Sequence, residues 1–168
     1  MKENGGKVIS RTGDPRLIEF RKALSEIMHD LAIQIVRDGE GASKLIHIKV
    51  SGTENSSSAK KIGRSVAESP LVKTAVGAAD PNWGIIIMAI GKTKETIDQK
   101  KINLKIGKNL ILKNGEVSRL YSESKTKKYM QGDEILIDIN LGHGKGESNI
   151  WTCDLTEGYI RINADYRS

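Results

Sequence analysis

Seven apolar residues, Leu17, Phe20, Leu24, Ile27, Met28, Leu31 and Ile35, recur at intervals of three and four, the period of an amphipathic helix. Asp14 stands where an N-cap is needed and Pro15 suits the first helical position. The glycines of Arg37-Asp38-Gly39-Glu40-Gly41 end the pattern near Val36. Ile46, Ile48 and Val50 then alternate with His47 and Lys49, which predicts a strand with one buried face. A second helix is expected over 57–68, with Ala59, Ile62, Val66 and Ala67 inward. Ser69-Pro70 and Asp80-Pro81 repeat the cap-then-proline signature and start two short helices. The run from Ile85 to Ile90 is apolar all round, as in a fully buried helix.

After Gly91 the period changes. Ile102, Leu104 and Ile106 alternate, and Leu110-Ile111-Leu112 follow the Gly107-Lys108 turn, giving a hairpin closed off by Asn114-Gly115. A polar, helical connection is expected over 118–130. Strands over 134–141 and 148–154 are joined by Gly142-His143-Gly144-Lys145-Gly146. Tyr159-Ile160-Arg161-Ile162-Asn163 alternates like a last strand, close enough to Ser168 to suggest an ordered terminus packed on the sheet. Helices first and strands later predict an α+β fold, with helices packed on a largely antiparallel sheet. Residues 1–14 read as a polar segment and 15–168 as one domain.

Composition narrows the class. Among the 168 residues, 38% are hydrophobic and 29% charged, ordinary values for a globular protein. No apolar run approaches the ~20 residues of a membrane span, and the polar start shows no targeting signal. The single cysteine, Cys153, rules out an internal disulfide and fits a reducing cytoplasm. A net charge of +6 raises nucleic acid as a partner. Acidic residues intersperse the lysines between Lys92 and Lys128, however, and Phe20 with a few Tyr and Trp offer too few aromatics for a stacking platform beside them. A solvated face is therefore the better reading.

Catalytic machinery is sparse. His29, His47 and His143 lack metal-ligand spacing, and Cys153 has no histidine nearby, which suits a buried structural thiol. Gly142-His143-Gly144 suits a turn better than an anion nest. Two places are more specific. Gly39 and Gly41 flank Glu40 and allow backbone shapes that aim its carboxylate into a cleft, although a glycine-stopped helix with solvated charges fits the pattern equally. The second is the ordered stretch that leads to Ser168.

These segments carry a family resemblance. The stretch 35–44, Ile-Val-Arg-Asp-Gly-Glu-Gly-Ala-Ser-Lys, resembles a signature of the ornithine acetyltransferase (glutamate N-acetyltransferase) family. So do Ser69-Pro70-Leu71-Val72-Lys73-Thr74-Ala75, Asp80-Pro81-Asn82-Trp83-Gly84, Trp151-Thr152-Cys153-Asp154-Leu155-Thr156 and the segment from Arg161 to Ser168. The resemblance implies the carboxy-terminal part of an enzyme of arginine biosynthesis, inside a larger layered α/β assembly. Such enzymes cleave themselves before an internal threonine, which then carries acetyl from N-acetylornithine, or in some members acetyl-CoA, to glutamate. The resemblance places substrate contacts at Glu40, Asn163 and Ser168, and it implies no metal and no cofactor. It places the nucleophile and oxyanion donors on an upstream segment, in a cytoplasmic heterotetramer. This chain alone is then expected to be inactive. Thr12 lacks the flanking pattern of the nucleophile, and Ile85 stands where the family usually has arginine. The rival reading is a non-catalytic interaction protein that keeps the fold.

Overall fold

The computed structural model describes Ile9 and residues 11–165. The chain divides at Ile35/Val36 into two compact units. In the first, the Asp14 side chain accepts the Arg16 N–H and opens a 3-10 turn, Pro15–Leu17, which continues into α1, Ile18–Arg37. Arg21 ties the entry down through the Thr12 carbonyl. The helix forms where its period predicts, yet it buries no residue. Ile18, Phe20, Leu24, Ile27, Met28, Leu31 and Ile35 are all 43–75% exposed. Such a stripe exceeds the scattered apolar exposure of an ordinary surface and favours association. We therefore expect the isolated chain to self-associate as its concentration rises. Leu24→Glu with Leu31→Glu should return it to monomer in sedimentation velocity, and an unchanged distribution would place the sticky surface elsewhere.

The second unit is a six-stranded sheet with helices on one face. Its strands are β1 (Leu45–Thr53), β2 (Asn103–Ile106), β3 (Asn109–Lys113), β4 (Glu116–Val117), β5 (Glu134–Asn140) and β6 (Gly146–Cys153), in the order β4-β3-β2-β5-β1-β6. All neighbours are antiparallel except β1 and β5, which run parallel. The fold is thus α+β on a mixed sheet. Strands β5 and β6, consecutive in sequence, lie on either side of β1, so the glycine-rich segment between them is a crossover and not a hairpin turn. Asn114-Gly115 likewise opens a further short hairpin into β4.

Alternation along the strands sorts the two faces. Ile46, Ile48 and Val50 of β1, Leu104 and Ile106 of β2, and Ile135, Ile137 and Ile139 of β5 are buried. Their burial removes apolar area from water at about 25 cal/mol per Å². Over this face lie α2 (Ser56–Ala67), α3 (Pro70–Gly77), α4 (Trp83–Gly91) and α5 (Glu123–Met130), which contribute Ile62, Val72, Ile90 and Met130 to the same core. The Asn55 side chain caps α2, the Ser69 hydroxyl caps α3 and Ser122 caps α5.

Four expectations need correction. Helix α4 begins at Trp83 with Asn82 at its N-cap, so Asp80-Pro81 precedes the helix and does not cap it. Nor is it buried all round: Ile86, Ala89 and Ile90 face the core, but Met88 is 50% exposed. Uniform hydrophobicity lets only one side of a helix on a single-layer sheet find cover. The connection over 118–130 is helical only from Glu123. Finally, the stretch expected to be a strand is a helix, α6, Glu157–Ala164. Five residues cannot separate a period of 2 from one of 3.6. Locally, the Thr156 hydroxyl accepts the Gly158 N–H, Glu157 occupies the first turn and Arg161 the last, all of which favour a helix. No helix among the described residues is long and apolar enough to cross a membrane.

Candidate functional site

The loop after α1 and the helix α6 meet at one end of the sheet, where the start of β1 pairs with the end of β6, Leu45 opposite Cys153. There the Asn163 Nδ2 donates to Glu40 Oε2 at 2.7 Å and to the Tyr159 carbonyl, one helical turn back, at 2.9 Å. Two of the three residues singled out by sequence are therefore in contact. Both are exposed, so the pair lies at the surface. Ser168 lies outside the described residues.

The loop is pinned from below. Asp154, 3% exposed, accepts from Ser43 N at 2.8 Å and Lys44 N at 2.9 Å through Oδ1, and from the Ser43 hydroxyl at 2.5 Å through Oδ2. Two residues on, the Thr156 Oγ1 donates to the Gly41 carbonyl at 2.6 Å. Gly41 has φ +68°, and a Cβ there would collide with the Gly158–Tyr159 backbone, so the loop can lie against α6 only with glycine at this position. At Gly39 an added Cβ would sit 3.0 Å from the Cys153 Sγ. Cys153 itself is half-buried, not buried as its sequence suggested.

Lys44 anchors the other end of the loop. Its Nζ donates to Met130 O at 2.7 Å, Val76 O at 2.8 Å and Gly77 O at 3.3 Å. Gly77 and Met130 end α3 and α5, where helix carbonyls carry partial negative charge that an ammonium complements. Burial pushes the Lys44 pKa below the ordinary lysine range, and the charge of Asp154 opposes that shift. Arg37 forms an ion pair with Glu134 beside the same loop.

Neither Asp154 nor Lys44 announces itself in sequence. Their partners are 111 and up to 86 positions away, and only the meeting of β1, β6 and the two helix ends reveals them. His47 and His143 are engaged elsewhere in the second unit. The His143 N–H is given to the Gly52 carbonyl in a turn. His47 stacks on Trp151 elsewhere on the sheet. Ile85 packs against the core beside Trp83. No cluster of three or more potential metal ligands occurs among the described residues.

The chain matches the ArgJ family over residues 4–168. It belongs to that family. It is 46% identical over 166 residues to the arginine biosynthesis bifunctional protein ArgJ of Brucella suis, covering 99% of this chain and 40% of that protein. The ArgJ of Ruegeria pomeroyi is 50% identical over 150 residues, 89% of this chain and 37% of the relative. The crystal structure of Bacillus halodurans ArgJ superposes with a TM-score of 0.88 at 42% identity, covering 93% of this chain and 73% of that one. This ArgJ-family chain thus spans about 40% of the length of such relatives.

Proposed function

We propose that this ArgJ-family chain supplies the substrate-holding part of an acetyl transfer from N-acetylornithine to glutamate. The reacting threonine and the oxyanion donors belong to a segment outside it. The observation that supports this reading is the Asn163–Glu40 hydrogen bond at 2.7 Å. It fixes the Glu40 carboxylate through one oxygen, and an ionised carboxylate retains acceptor sites for a further donor. An ammonium such as that of ornithine would take this role through a charge-assisted bond worth about 1.5–3 kcal/mol. Ser168 adds a hydroxyl to the same substrate.

In the transfer, the threonine hydroxyl attacks the amide carbonyl of N-acetylornithine and forms an acetyl ester. The departing nitrogen takes a proton and ornithine leaves. The amine of glutamate then attacks the ester and regenerates the hydroxyl. The threonine arises by self-cleavage of a longer precursor, and the two resulting chains stay together as a cytoplasmic heterotetramer. No step of this chemistry falls on a side chain of this chain, whose contribution is position.

The purified chain should therefore show no transfer from N-acetylornithine to glutamate, and activity by the chain alone would overturn the proposal. Co-expressed with the remaining portion of the Brucella suis relative, it should gain activity. Glu40→Ala should then lower kcat/KM by roughly 10- to 150-fold, the worth of one charge-assisted contact. Near-normal kinetics would remove Glu40 from the substrate site.

A further inference from the structure

The helices α2 to α5 cover only the isoleucine-rich face of the sheet. On the other face, register places Lys49 of β1, Asp138 of β5 and Lys105 of β2 side by side across three strands. Asn140 and Asn103 pair in an adjoining row. With Lys113 of β3 these residues line an open groove of about 370 Å³. Three ammonium groups against one carboxylate leave the lining at net +2. The ion pairs among the described residues involve none of these groups. Glu116, opposite Lys113 on β4, lies outside the lining.

A second feature adjoins the first. Two residues before Lys49 on the same face of β1, about 7 Å away along the strand, the His47 ring stacks on Trp151 of β6. Their centroids are 4.7 Å apart and their planes 8° from parallel. The His47 Nε2 meets Asn149 Oδ1 at 2.9 Å, which holds the ring in place. Neither ring is buried. On the sheet the stack adjoins Lys49 along β1, and the row from Lys49 continues across β5 to Lys105 on β2.

We propose that this face binds a small ligand of nucleotide class, its phosphates over Lys49, Lys105 and Lys113 and its flat ring beside the His47–Trp151 stack. Ammonium groups bind phosphate as point charges, and the amides of Asn103 and Asn140 add neutral donors. Asn140 already gives one N–H to Ser51 Oγ at 3.0 Å, which orients it toward the groove floor. Aromatic rings take any nucleobase by stacking. The groove's volume falls within the range of about 300–1,000 Å³ of small-molecule sites, and the His47–Trp151 stack that would take the ring lies outside its lining. The site is separate from Glu40 and Asn163 and stands whether or not the acetyl-transfer reading does.

ADP titrated into the 168-residue protein should change tryptophan fluorescence saturably, and Trp151→Phe should remove the change while Trp83 remains. Lys105→Glu should weaken binding by roughly tenfold or more, the loss of one charge-assisted contact. Lys128→Glu, on α5 and outside the groove, should leave it unaltered. Absence of a saturable signal up to about 1 mM ADP, which bounds binding above about −4 kcal/mol, would overturn the proposal. So would equal losses in the two lysine variants, which would mark diffuse charge. A short single-stranded oligonucleotide that binds far more tightly than ADP would overturn it in favour of a nucleic-acid surface.

Discussion

Lys44→Met is expected to lower the unfolding free energy by about 1.5–3 kcal/mol, the worth of a charged donor's half-buried hydrogen bonds to carbonyls. Methionine matches the length and apolar stem of lysine, so packing is nearly conserved and the loss is polar. Three carbonyls, of Val76, Gly77 and Met130, lose a donor together. Two of them end helices, so the substitution loosens the attachment of both α3 and α5 to β1. For a chain of this size the loss corresponds to a fall in Tm on the order of 10 °C. Lys60→Met, at an exposed position of α2, should change stability by less than about 0.5 kcal/mol. Thermal and urea unfolding of the two variants measures the difference. A Lys44→Met protein as stable as the parent would show that solvent replaces the ammonium at all three carbonyls.

Asp154→Ala should cost about 3–4 kcal/mol and should act locally as well as globally. The carboxylate accepts three bonds from Ser43 and Lys44, and alanine leaves these donors without their acceptor. Asp154→Asn keeps an acceptor oxygen for the two backbone N–H groups and loses only the charge, so its cost should be about 1–2 kcal/mol. The local effect separates this role from general destabilisation. Amide hydrogen exchange at Ser43 and Lys44 should quicken in Asp154→Ala far more than exchange in β5, whose strands are held by the isoleucine core. Uniform acceleration would mean that Asp154 does not clamp the loop. Combined with Lys44→Met, the two losses should fail to add by more than about 0.5 kcal/mol, because both residues hold the same few residues of chain.

The clamp bears directly on the proposed substrate site. Glu40 lies between Gly39, packed on Cys153, and Gly41, held by Thr156. Freed from Asp154 and Thr156, it would sample many positions and meet Asn163 only part of the time. Position is the whole of this chain's proposed contribution, so a loose loop should impair transfer even with both polar side chains intact.

How much of this was legible in sequence varies with the range of the interactions involved. Helix α1 is legible almost to its ends because its cap, proline and apolar period are all local. The core strands β1 and β5 and the β2–β3 hairpin were equally plain, since a buried isoleucine at every second position leaves one possible face. The misreadings have local causes too. Alternation over Tyr159 to Asn163 is compatible with two periods, and the Thr156 cap decided for the helix. An apolar run from Ile85 to Ile90 shows that α4 is hydrophobic, not how many of its sides are covered.

By itself the sequence determined most of the elements, many of their inward residues and, through ordered signatures from Ile35 to Ser168, the family. It also marked Glu40 and Asn163 as residues of interest. Only the tertiary structure placed those two side chains in contact, set Asp154 beneath the loop, gave Lys44 its three carbonyls and joined the His47–Trp151 stack to a row of lysines. The physical reason is the same in each case. Periodicity and capping are written over a few neighbouring residues, whereas these contacts depend on strand order and register, which no local stretch of the chain encodes.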